Sequence, residues 1–167
     1  MGSAQELMRP RSAAIDKNDA TDREASAINV ARLALDNRET LHPAHLVELL
    51  SVATWMFTEA RGKYSTRFAS RAATQVGATV RHEHVIPRLV LSKAMMDHPE
   101  RAEDIMRLAV ACIVTHEEHQ RLDPREFWWN RYKSAGIRVV DTVGDEAEVD
   151  LDLLASTLAE NWARVTS

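Results

Sequence analysis

The run Thr79-Val80-Arg81-His82-Glu83-His84-Val85-Ile86-Pro87 decides how this chain is read. β-Branched residues at Thr79, Val80, Val85 and Ile86 predict a short strand, and three titratable side chains follow one another in its middle. Such groups are costly to bury unless something pairs with them. A second run, Ala111-Cys112-Ile113-Val114-Thr115, is compact and apolar, as a buried strand is. Thr115 then suits the N-cap of a helix bearing His116, Glu117, Glu118 and His119. His116 and His119 are spaced i, i+3 and share a helix face. A strand carrying one cluster and a helix carrying the other can aim both at one ion, and imidazole suits first-row metals as carboxylate suits Mg²⁺ or Mn²⁺.

Outward from these two runs the pattern is helical. Residues 22–35 are Ala-rich, with Ala27, Val30, Ala31, Ala34 and Leu35 at helical spacing. His42-Pro43 opens a second helix, since proline suits the first helical turn. Leu46, Leu49, Leu50, Ala53, Trp55, Met56 and Phe57 give that helix a broad buried face, and Gly62 ends it. Residues 61–73 are basic and hydroxyl-rich, with a helix predicted from about Ser65. Gly77 interrupts. Residues 89–96 and 100–110 read as helices on either side of His98-Pro99, residues 127–134 as an aromatic helix, 137–141 as a strand and 151–162 as a closing helix. The expectation is one α+β domain over residues 22–167, mostly helical with a small sheet, after a polar, flexible tail over residues 1–21. The chemistry is expected within residues 78–122.

A chain of 167 residues suits a single domain and is long enough to bury a core without staples. No apolar run approaches the roughly 18–20 residues of a membrane span, so no membrane partner is expected, and residues 1–22 lack a signal-peptide layout. Cys112 is the single cysteine, which excludes an internal disulfide and makes a reducing cytoplasm the expected setting. The net charge of −4 hides a pattern: residues 61–140 carry +5, between −3 over residues 1–60 and −6 over residues 141–167. Salt screens charge beyond about 8–10 Å, so a basic face on an acidic protein still binds phosphates. Arg61, Lys63, Arg67, Arg71 and Arg81 follow one another with no acidic residue between Arg61 and Arg81. On a helix Arg67 and Arg71 would align on one face, a geometry suited to backbone phosphates. These five are the expected nucleic-acid surface, with DNA ahead of RNA as the partner.

Glu83-His84-Val85-Ile86-Pro87 resembles the Asp-His-Ile-Ile-Pro segment that opens many HNH endonucleases, the His-Me finger or ββα-metal family. Residues 111–119 resemble the second strand and helix of that family, where an apolar strand ending in Thr is followed by a residue pair and then Glu-His. The likeness covers residues 81–87 and 111–122. It implies a ββα-metal core with a helical insertion, Glu83 and His119 as metal ligands, and His84 as general base. His82, His116 and Glu118 would be further ligands or groups supporting them. The implied activity is phosphodiester hydrolysis with Mg²⁺ or Mn²⁺, and Zn²⁺ as a further candidate. The cation would take up charge at the phosphate while neutral His84 accepts a proton from water.

Other readings of the same residues stand beside this one. His and Glu can pair with each other at a helix–strand junction with no metal. His82 and His84, which alternate onto one strand face, can join His116 and His119 in a zinc site, structural or hydrolytic. Adjacent Glu83 and His84 leave an ideal strand on opposite faces, so the nuclease assignment needs a bend, which Pro87 can supply. A rival of another class is a non-enzymatic binding or inhibitory protein, phage- or defence-linked, on the same fold. Trp128, Trp129 and Tyr132 read as core, Cys112 as a buried small hydrophobe, and His42 and His45 as residues of a helix start.

Overall fold

Ala-rich sequence folds as α1 (Lys17–Asp36), and Pro43 in the first turn starts α2 (Pro43–Thr58), whose N-cap His42 accepts a hydrogen bond from the Ala44 amide at 3.3 Å. The computed structural model describes residues 17–126, 128–143 and 145–167. The tail expected over residues 1–21 lies outside them as far as residue 16, and residues 17–21 belong to α1. Ile28, Ala31 and Leu35 of α1 bury against the Leu46, Leu50 and Ala53 side of α2. α2 ends at Thr58, short of Gly62, which lies in the following turn at φ 106°. That left-handed backbone is one glycine adopts without a Cβ clash.

The helix expected from about Ser65 is not formed. Phe68–Ser70 is instead β1, three buried residues at the centre of a sheet. Pairing with strands far along the chain satisfies their backbone groups and overrides the local pattern. Arg67 and Arg71 therefore flank a strand and do not share a helix face. The sheet order is β2-β3-β1-β4, with β2 at Val80–His84, β3 at Ala111–Thr115 and β4 at Val139–Asp141. β1 runs parallel to β3 and antiparallel to β4, and β2 runs antiparallel to β3.

Between β2 and β3 lie α3 (Arg88–Asp97), a 3-10 turn (Pro99–Arg101) and α4 (Ala102–Met106), which stops earlier than the helix expected through residue 110. α5 (His116–Arg121) follows β3 directly, so β2, β3 and α5 succeed one another in ββα order with α3 and α4 inserted. α6 (Trp129–Ser134) and α7 (Leu151–Thr166) complete a fold that is 54% helical with a small mixed sheet, an α+β domain.

Leu50, Ile86, Leu91, Met95, Ile105, Met106, Trp129 and Tyr132 form the centre of the core, each with almost no exposure. Each such side chain contributes about 1.5–3 kcal/mol by leaving water. Trp128 packs against that core and against the Trp162 ring at 6.0 Å, so the aromatic run 128–132 faces inward. Ala69, Ile113 and Val140 make a second, thinner cluster on the other face of the sheet. Among the described residues no helix is long and apolar enough to cross a membrane.

Candidate functional site

β2 is paired to β3 along its whole length, from Val80 opposite Thr115 to His84 opposite Ala111, and the ladder continues with the Val85 amide donating to the Val110 carbonyl at 2.9 Å. A strand so held cannot bend at Glu83, and successive side chains leave it on opposite faces. Arg81 and Glu83 meet α5 and α6, whereas His82 and His84 meet the end of α2.

On the first face, Glu83 Oε2 lies 2.9 Å from His119 Nδ1 and Glu83 Oε1 lies 2.6 Å from Arg131 Nη2. Arg131, on α6, is buried and also donates to the His84 carbonyl oxygen. One turn back on α5, His116 Nδ1 accepts from Arg81 Nε at 3.4 Å, and its Nε2 lies 3.1 Å from Gln120 Nε2. Glu118 is turned inward. Its amide donates to the Thr115 hydroxyl at 3.1 Å while its carboxylate accepts from the Thr115 amide at 2.9 Å, a capping box at the start of α5. The Ser70 hydroxyl of β1 donates to the same carboxylate.

Two donors 2.9 Å apart are spaced as neighbours around an ion with bonds of about 2.1 Å would be. The rest of the surroundings do not complete a metal centre. The second Glu83 oxygen is engaged by a guanidinium, which already balances the carboxylate charge, and Glu118 is consumed by its cap. Among the described residues no group of three or more His, Cys, Asp or Glu is arranged to hold a metal ion. The four histidines of a zinc site are divided between two faces of the sheet. As they stand, Glu83, His119 and Arg131 join β2 to α5 and α6.

On the second face, His84 Nε2 sits 3.0 Å from the Thr58 hydroxyl, and the His82 and His84 rings stand nearly perpendicular with centroids 5.0 Å apart. Burial lowers His82 to about 4, helped by the nearby charges of Lys63 and Arg88 against a backbone hydrogen bond at Thr58. Burial lowers His84 to about 3, with His82, Arg88 and Arg131 adding to the effect. Both imidazoles are neutral at pH 7.

These rings form one wall of a cleft of about 190 Å³; Trp55 of α2, Glu59 just past its end, Lys63 and Tyr64 of the following loop, and Arg88 of α3 supply most of the rest, and Arg81 also lines it although its Nε donates to His116. None of Lys63, Arg81 and Arg88 makes an ion pair among the described residues. Lys63 Nζ lies 5.6 Å from the Tyr64 ring centroid, and Arg88 donates to the Ser51 carbonyl at 3.4 Å. Glu59 is the lone acid of the lining. Burial raises its pKa, opposed by a hydrogen bond from the Trp55 indole and by the charges of Lys63, Arg23 and Arg88.

Of the five basic residues expected to form one surface, Lys63 and Arg81 reach the cleft. Arg61 is 3.4 Å from Glu24, Arg67 is 2.7 Å from Asp141, and Arg71 donates to the Glu146 carbonyl at 3.0 Å. The sequence reading missed Trp55, Glu59, Tyr64 and Arg88 as site residues. Arg88 directly follows the His84–Pro87 run and Tyr64 adjoins Lys63, so both lay beside residues already singled out. Trp55, expected on the buried face of α2, is 40% exposed. Cys112 is fully buried, and burial raises its thiol pKa, in keeping with a small core hydrophobe. No family model, no curated protein and no solved structure matches the chain.

Proposed function

We propose that the protein binds nucleic acid, taking backbone phosphate into the cleft between α2 and β2. The observation that carries this reading is the convergence of Lys63 and Arg88 on one concave surface, with Arg81 also in its lining, and with no carboxylate at ion-pair distance from any of the three among the described residues. Arg and Lys at such a surface neutralise phosphates and release counterions, and clefts walled by low-dielectric protein concentrate the field of their charges. The two neutral imidazoles add hydrogen bonding without further charge. Binding is favoured over metal-assisted hydrolysis because His84, bonded to Thr58, faces away from the Glu83–His119 pair. It is not placed to take a proton from water on an ion there.

The test is fluorescence anisotropy with labelled oligonucleotides at several salt concentrations. Lys63→Ala, Arg81→Ala and Arg88→Ala should each weaken binding to all sequences alike and reduce the salt slope by about one, as loss of a phosphate contact does. Arg67→Ala, which removes an arginine already paired with Asp141, should change little. Unaltered affinity in all three cleft variants refutes the proposal. Oligonucleotide cleavage that requires Mg²⁺ and is lost in His84→Ala would replace it with the nuclease reading.

A further inference from the structure

We infer that the cleft accepts an unpaired nucleotide, so that single-stranded nucleic acid is the ligand and duplex is not. This rests on the reading of the cleft as a phosphate site and adds the class of strand. Trp55 and Tyr64 line the same cleft as the three cations and are 40% and 46% exposed. The other described rings near the sheet behave differently, since Phe68, Trp129 and Tyr132 are all buried. Two large rings left half in water beside unpaired cations match how sequence-tolerant single-strand sites are built, with bases stacked on aromatic side chains and a cationic groove following the backbone.

Size and chemistry point the same way. At about 190 Å³ the cleft is smaller than the roughly 300–1,000 Å³ of pockets for drug-sized molecules. One nucleotide can enter it in part, phosphate first. A duplex buries the faces of its bases in the stack and offers only their edges, through grooves about 6–12 Å wide, so its bases cannot lie on either ring. Lys63 Nζ at 5.6 Å from the Tyr64 centroid sets a cation beside a π-face, and a nucleotide links the matching groups, phosphate and base, through one sugar. Glu59 repels phosphate, but its Oε1, buried without a hydrogen-bond partner among the described residues, can accept from a base amino group or a sugar hydroxyl.

The experiment compares a labelled oligothymidylate with an abasic strand of equal length and with a duplex. Inorganic phosphate and thymidine monophosphate serve as competitors. The strand should bind at least about tenfold more tightly than the duplex, and loss of its bases should weaken it roughly 5- to 150-fold, the range for one stacked base. Tyr64→Leu and Trp55→Leu should reproduce that loss without changing the salt slope, because neither ring carries charge, while Tyr64→Phe should retain affinity. Circular dichroism melting checks that each variant folds. Equal affinity for strand, abasic strand and duplex, with Lys63→Ala still weakening all three, overturns this inference and leaves the backbone-binding proposal standing. Binding of none of them overturns both. Displacement of the strand by thymidine monophosphate at its own strand-equivalent concentration would make a free nucleotide the ligand and refute the inference as well.

Discussion

Arg131 stands 48 positions beyond Glu83 in the chain and sets its Nη2 2.6 Å from the Glu83 carboxylate. The same guanidinium reaches the His84 carbonyl, so one side chain of α6 holds two successive residues of β2. Arg131 is 5% exposed at its side chain and Glu83 15%. Removing one member of such a pair strands the other charge where water cannot solvate it.

Arg131→Met is accordingly expected to destabilise the fold by about 3–5 kcal/mol, the usual cost of breaking a buried pair from one side. His119→Ala should cost under about 1 kcal/mol, because that imidazole is 46% exposed. Urea denaturation of both variants decides the matter. A smaller loss for Arg131→Met than for His119→Ala would show that Glu83 is anchored from α5 and not from α6. The double variant Glu83→Gln with Arg131→Met should recover part of the stability, since no carboxylate then remains unpaired.

Charge balance at Glu83 leads to a second expectation. Mg²⁺ or Mn²⁺ at millimolar concentration should leave the melting temperature unchanged, because a ligand raises it only by binding the folded state. A rise that vanishes in His119→Ala and in Glu83→Gln would establish a metal site there and revive hydrolysis at that face.

The buried imidazoles should make stability fall in acid. In the unfolded chain histidine titrates near 6.5, whereas in the fold His84 titrates at about 3 and His82 at about 4. Between these values the unfolded chain holds protons that the native one refuses, so stability rises with pH across the window. It is complete above about pH 6.5 and falls as the pH drops toward 3, by at most about 1.4 kcal/mol per pH unit for a fully buried histidine, with His82, partly exposed, contributing less. Urea midpoints at pH 7, 5.5 and 4.5 should fall in that order, and His84→Asn should flatten the trend. Constant midpoints would mean that His84 protonates freely in the fold.

Glu59 gives the cleft a pH response of the opposite benefit. Glu59→Gln removes the only carboxylate of the lining and should tighten oligonucleotide binding severalfold at moderate salt. Burial raises the pKa of Glu59, so the parent should bind more tightly as the pH falls toward 5, and the variant should show less of that gain. Weaker binding by Glu59→Gln would identify the carboxylate as an acceptor on which the ligand depends.

The β2–β3–α5 unit was legible because each part carries a local signal. β-Branched residues mark β2, residues 111–114 are wholly apolar, and Thr115 suits an N-cap; that Glu118, expected near an ion, closes the cap instead is what the structure adds. β1 was not legible. Three residues are too few for any period to show, and what makes Phe68–Ser70 a strand is pairing with residues 112–113 and 139–141. The same distance effect divided the candidate site. Glu83 and His119 come within 2.9 Å because α5 follows β3 directly and β3 pairs with β2, while Thr58 and Arg131 come from elements that no local pattern links to β2. The exposed side of α2 near Trp55 follows from where α1 and α3 pack, which periodicity alone does not state.

A strand of three residues lies inside the sheet, and this governs which pieces of the chain can exist by themselves. β1 has no parallel neighbour until β3 is made and no second neighbour until Val139–Asp141 is made. A fragment stopping before residue 139 would keep the α1–α2 pair and the antiparallel β2–β3 pair yet leave the outer edge of Phe68–Ser70 open, a row of unpaired amides and carbonyls. Such fragments should self-associate through that edge, whereas losing the last turn of α7, which buries Val165, costs core packing but leaves every strand with its neighbours.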